Sequence, residues 1–345
     1  DVHMSRGLGD VYKRQQILAL TDHKKHSKEN SIYALLSTLA IHPQCKNLEI
    51  ASRANALNHS FFYEMNSTQV HVKKLDKNFA FQADGKQFLE GLKQKNITEY
   101  DAILMRLPRP ISDDFLRFLA EKANQIIIIN HPLGIIKTSS KAFLLNFPEC
   151  CPPMKICHSI AEILDFAEQF PIVLKPLREY GGKGIFKIEN GKVYENNTSY
   201  EIQTYLLNIK HQIETEGYLM MKYLKNVTQG DKRILVVGGK IMAASLRLPA
   251  PNSWLCNVAQ GGISVPSELE KEEIDIIKTI SPRLEQEGIF IFGADTLVND
   301  DGKRILSEIN TLSIGGFPQA EKQTGKPIVQ DTINKIIKYI DANKK

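Results

Sequence analysis

The sequence predicts two folds in succession: an α/β domain with an open parallel sheet over residues 16–132, then an α+β domain over residues 133–345. Three observations predict this. From Gln16 onward, short apolar runs alternate with stretches of helical character, the signature of strands joined by crossover helices. Beyond Pro132 the texture changes to β-rich runs paired across glycine-containing turns, which suits antiparallel hairpins. Finally, 345 residues, 42% of them hydrophobic, are enough for domains of roughly 100–200 residues each.

In the first domain, QILALTDH reads as a buried strand and Ser31 to Ala40 as the helix that follows. NLEIASR is a second strand, Asp101 to Met105 a third, Phe115 to Ala123 a helix, and QIIIIN a strand stopped at His131-Pro132. Ligands of such sheets gather at the C-terminal strand ends, which here carry Asp22, His23, Lys24, Lys25, Arg106 and Asn130. In the second domain a helix capped by Ser139-Ser140 is expected to run to Asn146. PECCPPMKIC reads as a turn and a short strand, Ile160 to Gln169 as a helix, and Ser199 to Leu207 as another. GYLMMKYL is a strand, and KRILVVGGKIMAASLRLPA a hairpin turning at Gly238-Gly239. A helical stretch from Glu268 to Glu287, a hairpin over 289–310 and a helix from Asp331 to Ala342 complete the chain. The first fifteen residues, DVHMSRGLGDVYKRQ, join none of this patterning; they read as a non-native leader of vector or adapter type and are set aside.

Composition excludes several classes. The 44 basic and 39 acidic residues nearly cancel, and a formal charge of +5 is too mild to indicate nucleic acid. The basic loop KKHSK at 24–28 is short and lacks interleaved aromatics. No run approaches the ~18 uncharged apolar residues of a membrane span. Five cysteines, an odd and unspaced set, read as reduced thiols and so as a cytoplasmic setting. Cys150, Cys151 and Cys157 lack the paired spacing of a zinc site and are expected to be buried thiols.

Three segments carry chemistry. In the 289–310 hairpin, Asp301-Gly302 is a favoured two-residue turn, and that turn sets Asp295 opposite Glu308. Asn310, two residues beyond Glu308, shares its face. Two carboxylates and a carboxamide then offer oxygen donors for a hard cation, Mg²⁺ foremost and Mn²⁺ as the alternative. A register slip of one residue would undo this, because it turns Asp295 to the other face. The second segment, VLKPLREYGGKGIF, sets Gly181, Gly182 and Gly184 between β-rich runs, a flap whose amides could approach phosphates, with Lys175 on the strand before it. It is no Walker A, since no Ser or Thr follows its Gly-Lys, and no G-x-G-x-x-G follows a first strand. The third, QGDKRILVV, opens a strand with Asp231, Lys232 and Arg233, and Arg247 lies further on; both arginines suit a phosphoryl group or a carboxylate.

Taken together, these segments resemble the ATP-grasp superfamily, and within it the prokaryotic type of glutathione synthetase, from Gln16 nearly to the C-terminus. AILMRLPRPISDDF and IIINHP match the runs that end the third and fourth strands of the first domain. The resemblance implies that the second domain is an α+β ATP-grasp fold, with a glycine-flap subdomain over about 150–222 and a metal and substrate subdomain over about 223–345. It implies ATP as the nucleotide, with Lys141 of SSKAF and Lys175 on its phosphates, Lys222, Tyr223 and Leu224 along its adenine, and Asp231 at its ribose. NVAQGG, with Asn257, Gly261 and Gly262, is similar to a loop that folds over the active site, and SEIN carries the metal ligands Glu308 and Asn310.

The implied reaction is ligation of γ-glutamylcysteine to glycine through an acylphosphate, with small-molecule partners only: no nucleic acid, no membrane, and a homo-oligomer compatible with the pattern. Two departures lie near the acceptor. Thr311 to Gly316, including Ser313, replaces a Ser-Pro-Thr run, and Leu255 beside Trp254 stands where relatives often carry arginine. They keep open another ATP-grasp carboxylate–amine ligase, and from a different class a non-catalytic nucleotide-binding module; the retained Lys175, Arg233, Asp295, Glu308 and Asn310 weigh against the latter.

Overall fold

The run Ile17-Leu18-Ala19-Leu20 is wholly buried in the computed structural model, which describes residues 15–179, 182–195, 198–249 and 263–344. A strand covered on both faces reads as continuous apolar sequence, the mark of a central parallel strand. The chain opens with β1 (Gln15–Thr21), α1 (Ser31–Ala40), β2 (Cys45–Ser52) and the short α2 (His59–Phe62). β3 (Gln69–Lys74), β4 (Lys93–Asn96), β5 (Ala102–Met105), α3 (Asp113–Lys122) and β6 (Ile127–Ile129) follow. The six strands form one open sheet in the order β4-β3-β2-β1-β5-β6. β1 is parallel to both β2 and β5. The edge differs from the expected all-parallel sheet: β3 runs antiparallel to β2, and β4 to β3. QVHVKK and KQKN are lysine-rich, half-exposed strands, so no apolar run betrays them in sequence; such charge is what keeps an open edge from pairing further. α1 starts where Asn30 accepts from the amide of Ile32, and it buries Ile32, Leu35, Leu36 and Leu39.

Beyond β6 come α4 (Pro132–Thr138), β7 (Met154–Cys157), α5 (Ile160–Ala167), β8 (Ile172–Pro176), β9 (Phe186–Glu189), β10 (Lys192–Glu195) and β11 (Thr198–Glu201). α6 (Ile202–Asn208), α7 (Lys210–Glu216), β12 (Tyr218–Lys222), β13 (Asp231–Val237), β14 (Lys240–Leu248) and β15 (Ile263–Pro266) succeed them. α8 (Lys271–Gln286), β16 (Ile291–Val298), β17 (Arg304–Asn310), α9 (Phe317–Thr324) and α10 (Ile328–Asn343) end the chain. Two antiparallel sheets result, β11-β10-β9-β8-β12-β7 and β15-β14-β13-β16-β17. The first packs a core of Ile163, Leu174, Phe186, Leu206, Tyr218 and Met220 beneath α5, α6 and α7.

Two helix expectations are corrected. Pro132 does not merely end a strand: it stands at the first position of α4, where its missing N–H is no loss. The following 141–146 stretch is a 3₁₀ segment capped by Ser140, not an α-helix. The helix expected from Ser199 begins at Ile202, because Thr198 to Glu201 pair with β10 instead.

The chain forms two compact units. One contains the described residues up to Pro110, Glu121–Ile128 and the chain from Val329 on; the other contains Ile111–Ala120 and Ile129–Ile328. A single division at residue 132 does not capture this interleaving, since it follows texture along the chain whereas α10 returns in space. Within the first unit, the side-chain carboxamides of Gln15 and Gln44 both donate to the Asp341 carboxylate of α10, and Lys344 pairs with Asp101 at 2.8 Å. No helix among the described residues is long and apolar enough to cross a membrane.

Candidate functional site

Register brings the site together. β13 pairs with β16 so that Arg233 lies opposite Asp295, and with β14 so that Asp231 lies opposite Arg247. On the far side of β16, Asp295 pairs with Glu308 and Gly293 with Asn310. The expected facing of Asp295 and Glu308 is therefore present, but its cause differs from the one inferred. The turn is not Asp301-Gly302 alone: the Asn299 amide donates to the Lys303 carbonyl at 2.8 Å, leaving a three-residue loop, Asp300 to Gly302, with Gly302 at φ 78°. That longer loop sets Thr296 against Leu306, one residue out of step, and a bulge at Ser307 restores the pairing of Asp295 with Glu308.

These strands wall a pocket of about 190 Å³ in the second unit. Val173, Ile185, Met221, Leu224, Val227 and Leu297 make one part of its lining apolar, beside Lys222 and Tyr223. Lys175, Gly182, Asp231, Arg233, Arg247, Asp295, Ser307, Glu308 and Asn310 make the rest polar. An apolar slot joined to a cluster of cations and carboxylates suits a flat base attached to a polyanion.

The charges pair internally. Arg233 grips Asp295 with two donors, Nε on Oδ1 and Nη2 on Oδ2, the latter at 2.8 Å. Arg247 forks between Asp231, at 2.7 and 2.5 Å, and Asp295, at 2.8 Å. Asn310 Nδ2 lies 3.4 Å from Asp295 Oδ2. Burial works against ionisation of Asp295, but Arg233 and Arg247 outweigh it and hold the carboxyl at about 2. Burial and the neighbouring Asp295 raise Asp231 to about 6, against the pull of Arg247 and Arg233. Burial opposes charge on Arg247, yet Asp295 and Asp231 carry its guanidinium above its ordinary value. Desolvation lowers Lys175, with Glu308, Cys151 and Asp295 opposing. Its ammonium donates to the Ser307 carbonyl at 3.3 Å, so β8 is tied to the bulge itself.

Most residues singled out from sequence meet here, with exceptions. Lys222 lines the pocket, but its ammonium is held by Asp300 at 2.7 Å. Asp231 is engaged by Arg247, a partner no motif announced. Lys141 is not in the wall of this pocket: it is buried, its backbone amide donates to the Leu177 carbonyl and its ammonium to the Glu179 carbonyl. Ser313 lies outside the wall at φ 50°. Gly181, Asn257, Gly261 and Gly262, with Trp254, Leu255 and residues 1–14, lie outside the described residues. Ser307, Leu297 and Met221 were missed; Leu297 follows Asp295 at the two-residue spacing of one strand face, a signal that was available.

Residues 140–325 match the family model described as prokaryotic glutathione synthetase, ATP-grasp domain. A glutathione synthetase of Brucella melitensis biotype 1 is 30% identical over 239 residues, covering 68% of this chain and 72% of that protein. One from Prochlorococcus marinus (strain MIT 9313) is 29% identical over 247 residues, covering 70% and 76%. Among solved structures, the D-cycloserine synthetase DcsG superposes with a TM-score of 0.64 at 11% identity, over 94% of this chain and 99% of that one. The ATP-grasp ligase PsnB, complexed with a precursor variant, Mg and ADP, gives 0.56 at 12%, over 96% and 99%. The fold and the seam of charge beside an apolar slot define an ATP-grasp enzyme. The chain belongs to the prokaryotic glutathione synthetase family.

Proposed function

We propose that the pocket binds ATP with its base in the apolar slot along Lys222, Tyr223 and Leu224, and its phosphates toward Lys175 and the flap glycines Gly181 and Gly182. The enzyme is an ADP-forming carbon–nitrogen ligase that makes glutathione. The single observation that carries the residue assignment is the convergence of Lys175, Arg233, Arg247, Asp295, Glu308 and Asn310 on one pocket. In the reaction, a carboxylate of γ-glutamylcysteine attacks the γ-phosphorus of ATP and ADP departs, leaving an acylphosphate. The amine of glycine then attacks the acyl carbon, and inorganic phosphate leaves as the peptide bond forms. Arg233 and Arg247 are assigned to the charge that develops on the transferred phosphoryl group, since positioned charge is the chief contribution an enzyme makes to this chemistry.

Asp295, Glu308 and Asn310 fit a divalent cation by donor type, since all three offer hard oxygen atoms. Mg²⁺, or Mn²⁺ in its place, would supply neutralising charge to the nucleotide phosphates when bound. For Asp295 to serve it must be released from the arginines, and the incoming phosphates give Arg233 and Arg247 replacement partners. Asp231 is assigned to the ribose on the same terms. The loop at 257–262 and Ser313 are assigned to the acceptor side, where a closed site would keep water from the acylphosphate. A reducing, cytoplasmic setting is assigned on the free state of Cys45, Cys150, Cys151 and Cys157; burial pushes Cys151 up to about 12 and Cys157 to about 11, which leaves those two unreactive.

The test is ADP and phosphate release across a panel of dipeptides and amino acids, with the product identified by mass. Turnover that needs both γ-glutamylcysteine and glycine, and yields glutathione in step with ADP, is expected. Turnover with another pair at higher efficiency would replace this substrate assignment and leave the ligase chemistry standing.

A further inference from the structure

Behind the pocket, on the opposite face of the same strands, lies a second charged cluster that the reaction does not use. Asp231 and Arg233 turn toward the pocket; Lys232, between them, turns away and is 2% exposed. Its ammonium donates to Glu273 Oε2 at 2.7 Å, to the Glu268 carbonyl at 2.8 Å and to Glu270 Oε1 at 3.2 Å, which uses all its protons. Glu273 is fully buried in the first turn of α8. Besides Lys232 it accepts the Glu270 amide at 2.9 Å and the hydroxyl of Thr296 at 2.6 Å. Arg304, at the start of β17, donates to the carbonyls of Gly230 at 3.0 Å and Thr296 at 3.3 Å, and its Nε stands 3.4 Å from Glu270.

The placement of these partners is what matters. Gly230 immediately precedes Asp231, and Thr296 immediately follows Asp295. Lys232 pairs across the ladder with Thr296, as Arg233 pairs with Asp295 one step along. The irregularity that restores the pairing of Asp295 with Glu308 falls between Asp295 and Thr296. The rear cluster therefore grips the three strands at the point where the pocket's charged residues are set. Two cations, Lys232 and Arg304, balance two anions, Glu270 and Glu273. Packing the strands against α8 would need no charges at all, and well-packed apolar residues often serve a buried site as well or better. Here the directional bonds end on backbone carbonyls and side chains at β13, β16 and β17 beside the pocket residues, so they add to packing in holding those strands along their axes.

We propose that Lys232, Glu273, Thr296 and Arg304 are positioning residues of the ligase, setting the distances among Arg233, Asp295 and Glu308. This rests on the reading of the pocket as the nucleotide and metal site. None of the four touches the reacting atoms; they act through the backbone of β13, β16 and β17. Groups that orient metal-binding side chains from behind commonly matter by roughly 10–100-fold.

Thr296→Val removes the hydroxyl while keeping the branched shape, and Thr296→Ser restores it. For Thr296→Val we expect kcat to fall roughly tenfold with the KM for ATP moving less than about twofold, because the apolar slot is untouched. Thr296→Ser should recover most of that loss. Glu273→Gln should behave like the valine variant; where it fails to fold, the Thr296 pair decides alone. A second readout is independent of the acceptor: Mn²⁺ affinity in the presence of a non-hydrolysable ATP analogue, followed by paramagnetic resonance. It should weaken roughly fivefold in Thr296→Val and recover in Thr296→Ser. A folded Thr296→Val with wild-type kcat and wild-type Mn²⁺ affinity overturns the proposal, as does a serine variant as impaired as the valine one. If the wild-type chain makes no glutathione, the substrate assignment fails and the Mn²⁺ series still decides the cluster. If the wild-type chain binds no Mn²⁺ with the nucleotide analogue, the metal assignment fails and the proposal falls with it.

Discussion

The hairpins β13–β14 and β16–β17 lie in one five-stranded sheet, and they reach their registers by opposite routes. In β13–β14 the turn is the two-residue Gly238-Gly239, both at positive φ, with Val237 paired to Lys240. A shift of register just beyond it, between Leu235 and Val236, then moves Arg247 into line with Asp231. In β16–β17 the loop is one residue longer than its Asp-Gly sequence suggests, and the bulge at Ser307 cancels the offset. One hairpin has the expected turn and a displaced ladder; the other has an unexpected turn and the expected ladder at the site. Register at a functional position is the sum of turn and bulges, and a turn motif supplies only the first.

Asp295 stands in both the β13–β16 and the β16–β17 ladders, and the steepest loss is expected there. Asp295→Asn should remove ligation by at least ~10²-fold and also lower stability by about 3 kcal/mol, because Arg233 and Arg247 lose the carboxylate that balances them in a buried setting. Urea unfolding beside a ligation assay measures both; an active variant of unchanged stability would show that the arginine pairing carries no weight. Glu308→Gln separates the two consequences. Glu308 makes no ion pair within 4 Å among the described residues but is the first of the charges that offset the desolvation of Lys175, so kcat should fall ~10²–10³-fold while the urea midpoint drops by much less than in Asp295→Asn. A loss of stability as large as that of Asp295→Asn would mean that Glu308 is structural.

The turns give the smaller effects. A methyl group on Gly238 would meet the Phe290 ring at 2.7 Å, at φ 56°, whereas one on Gly302 meets nothing within 4 Å, at φ 78°. Gly238→Ala should cost about 3 kcal/mol, from backbone strain and overpacking together. Gly302→Ala should cost about 1 kcal/mol, from strain alone, with kcat unchanged. Equal costs in urea titrations would indicate that Phe290 yields easily.

What could be read in advance follows from how local the signal is. The central strand β1 was legible because burial on both faces leaves an unbroken apolar run, Ile17 to Leu20. β3 and β4 were not, since a protected edge is polar by necessity. Lys175, Asp231, Arg233, Asp295, Glu308 and Asn310 were legible as chemistry because they stand at strand spacing within short segments. Within the 289–310 hairpin the facing of Asp295 and Glu308 was legible too; pairings between distant segments were not. Arg233 and Asp295 are 62 positions apart, and nothing local states that β13 lies beside β16. Lys141 shows the same limit, its place at the Glu179 carbonyl being a matter of tertiary approach. Lys232 was visible only as the middle letter of a charged run, and its isolation from solvent came from α8, some 40 residues on.

On the proposed reading, the bulge-corrected ladder presents Asp295, Glu308 and Asn310 as one cation-binding face that Arg233 and Arg247 vacate when phosphates arrive. A crystal structure of the enzyme with Mg²⁺ and a non-hydrolysable ATP analogue tests it most directly. The expected result is a cation at about 2.1 Å from oxygens of these residues and of the phosphates, the base beside Leu224, and both guanidinium groups turned from Asp295 toward phosphate oxygens. A cation held by other residues, or both arginines still closed on Asp295 with the nucleotide in place, would contradict it.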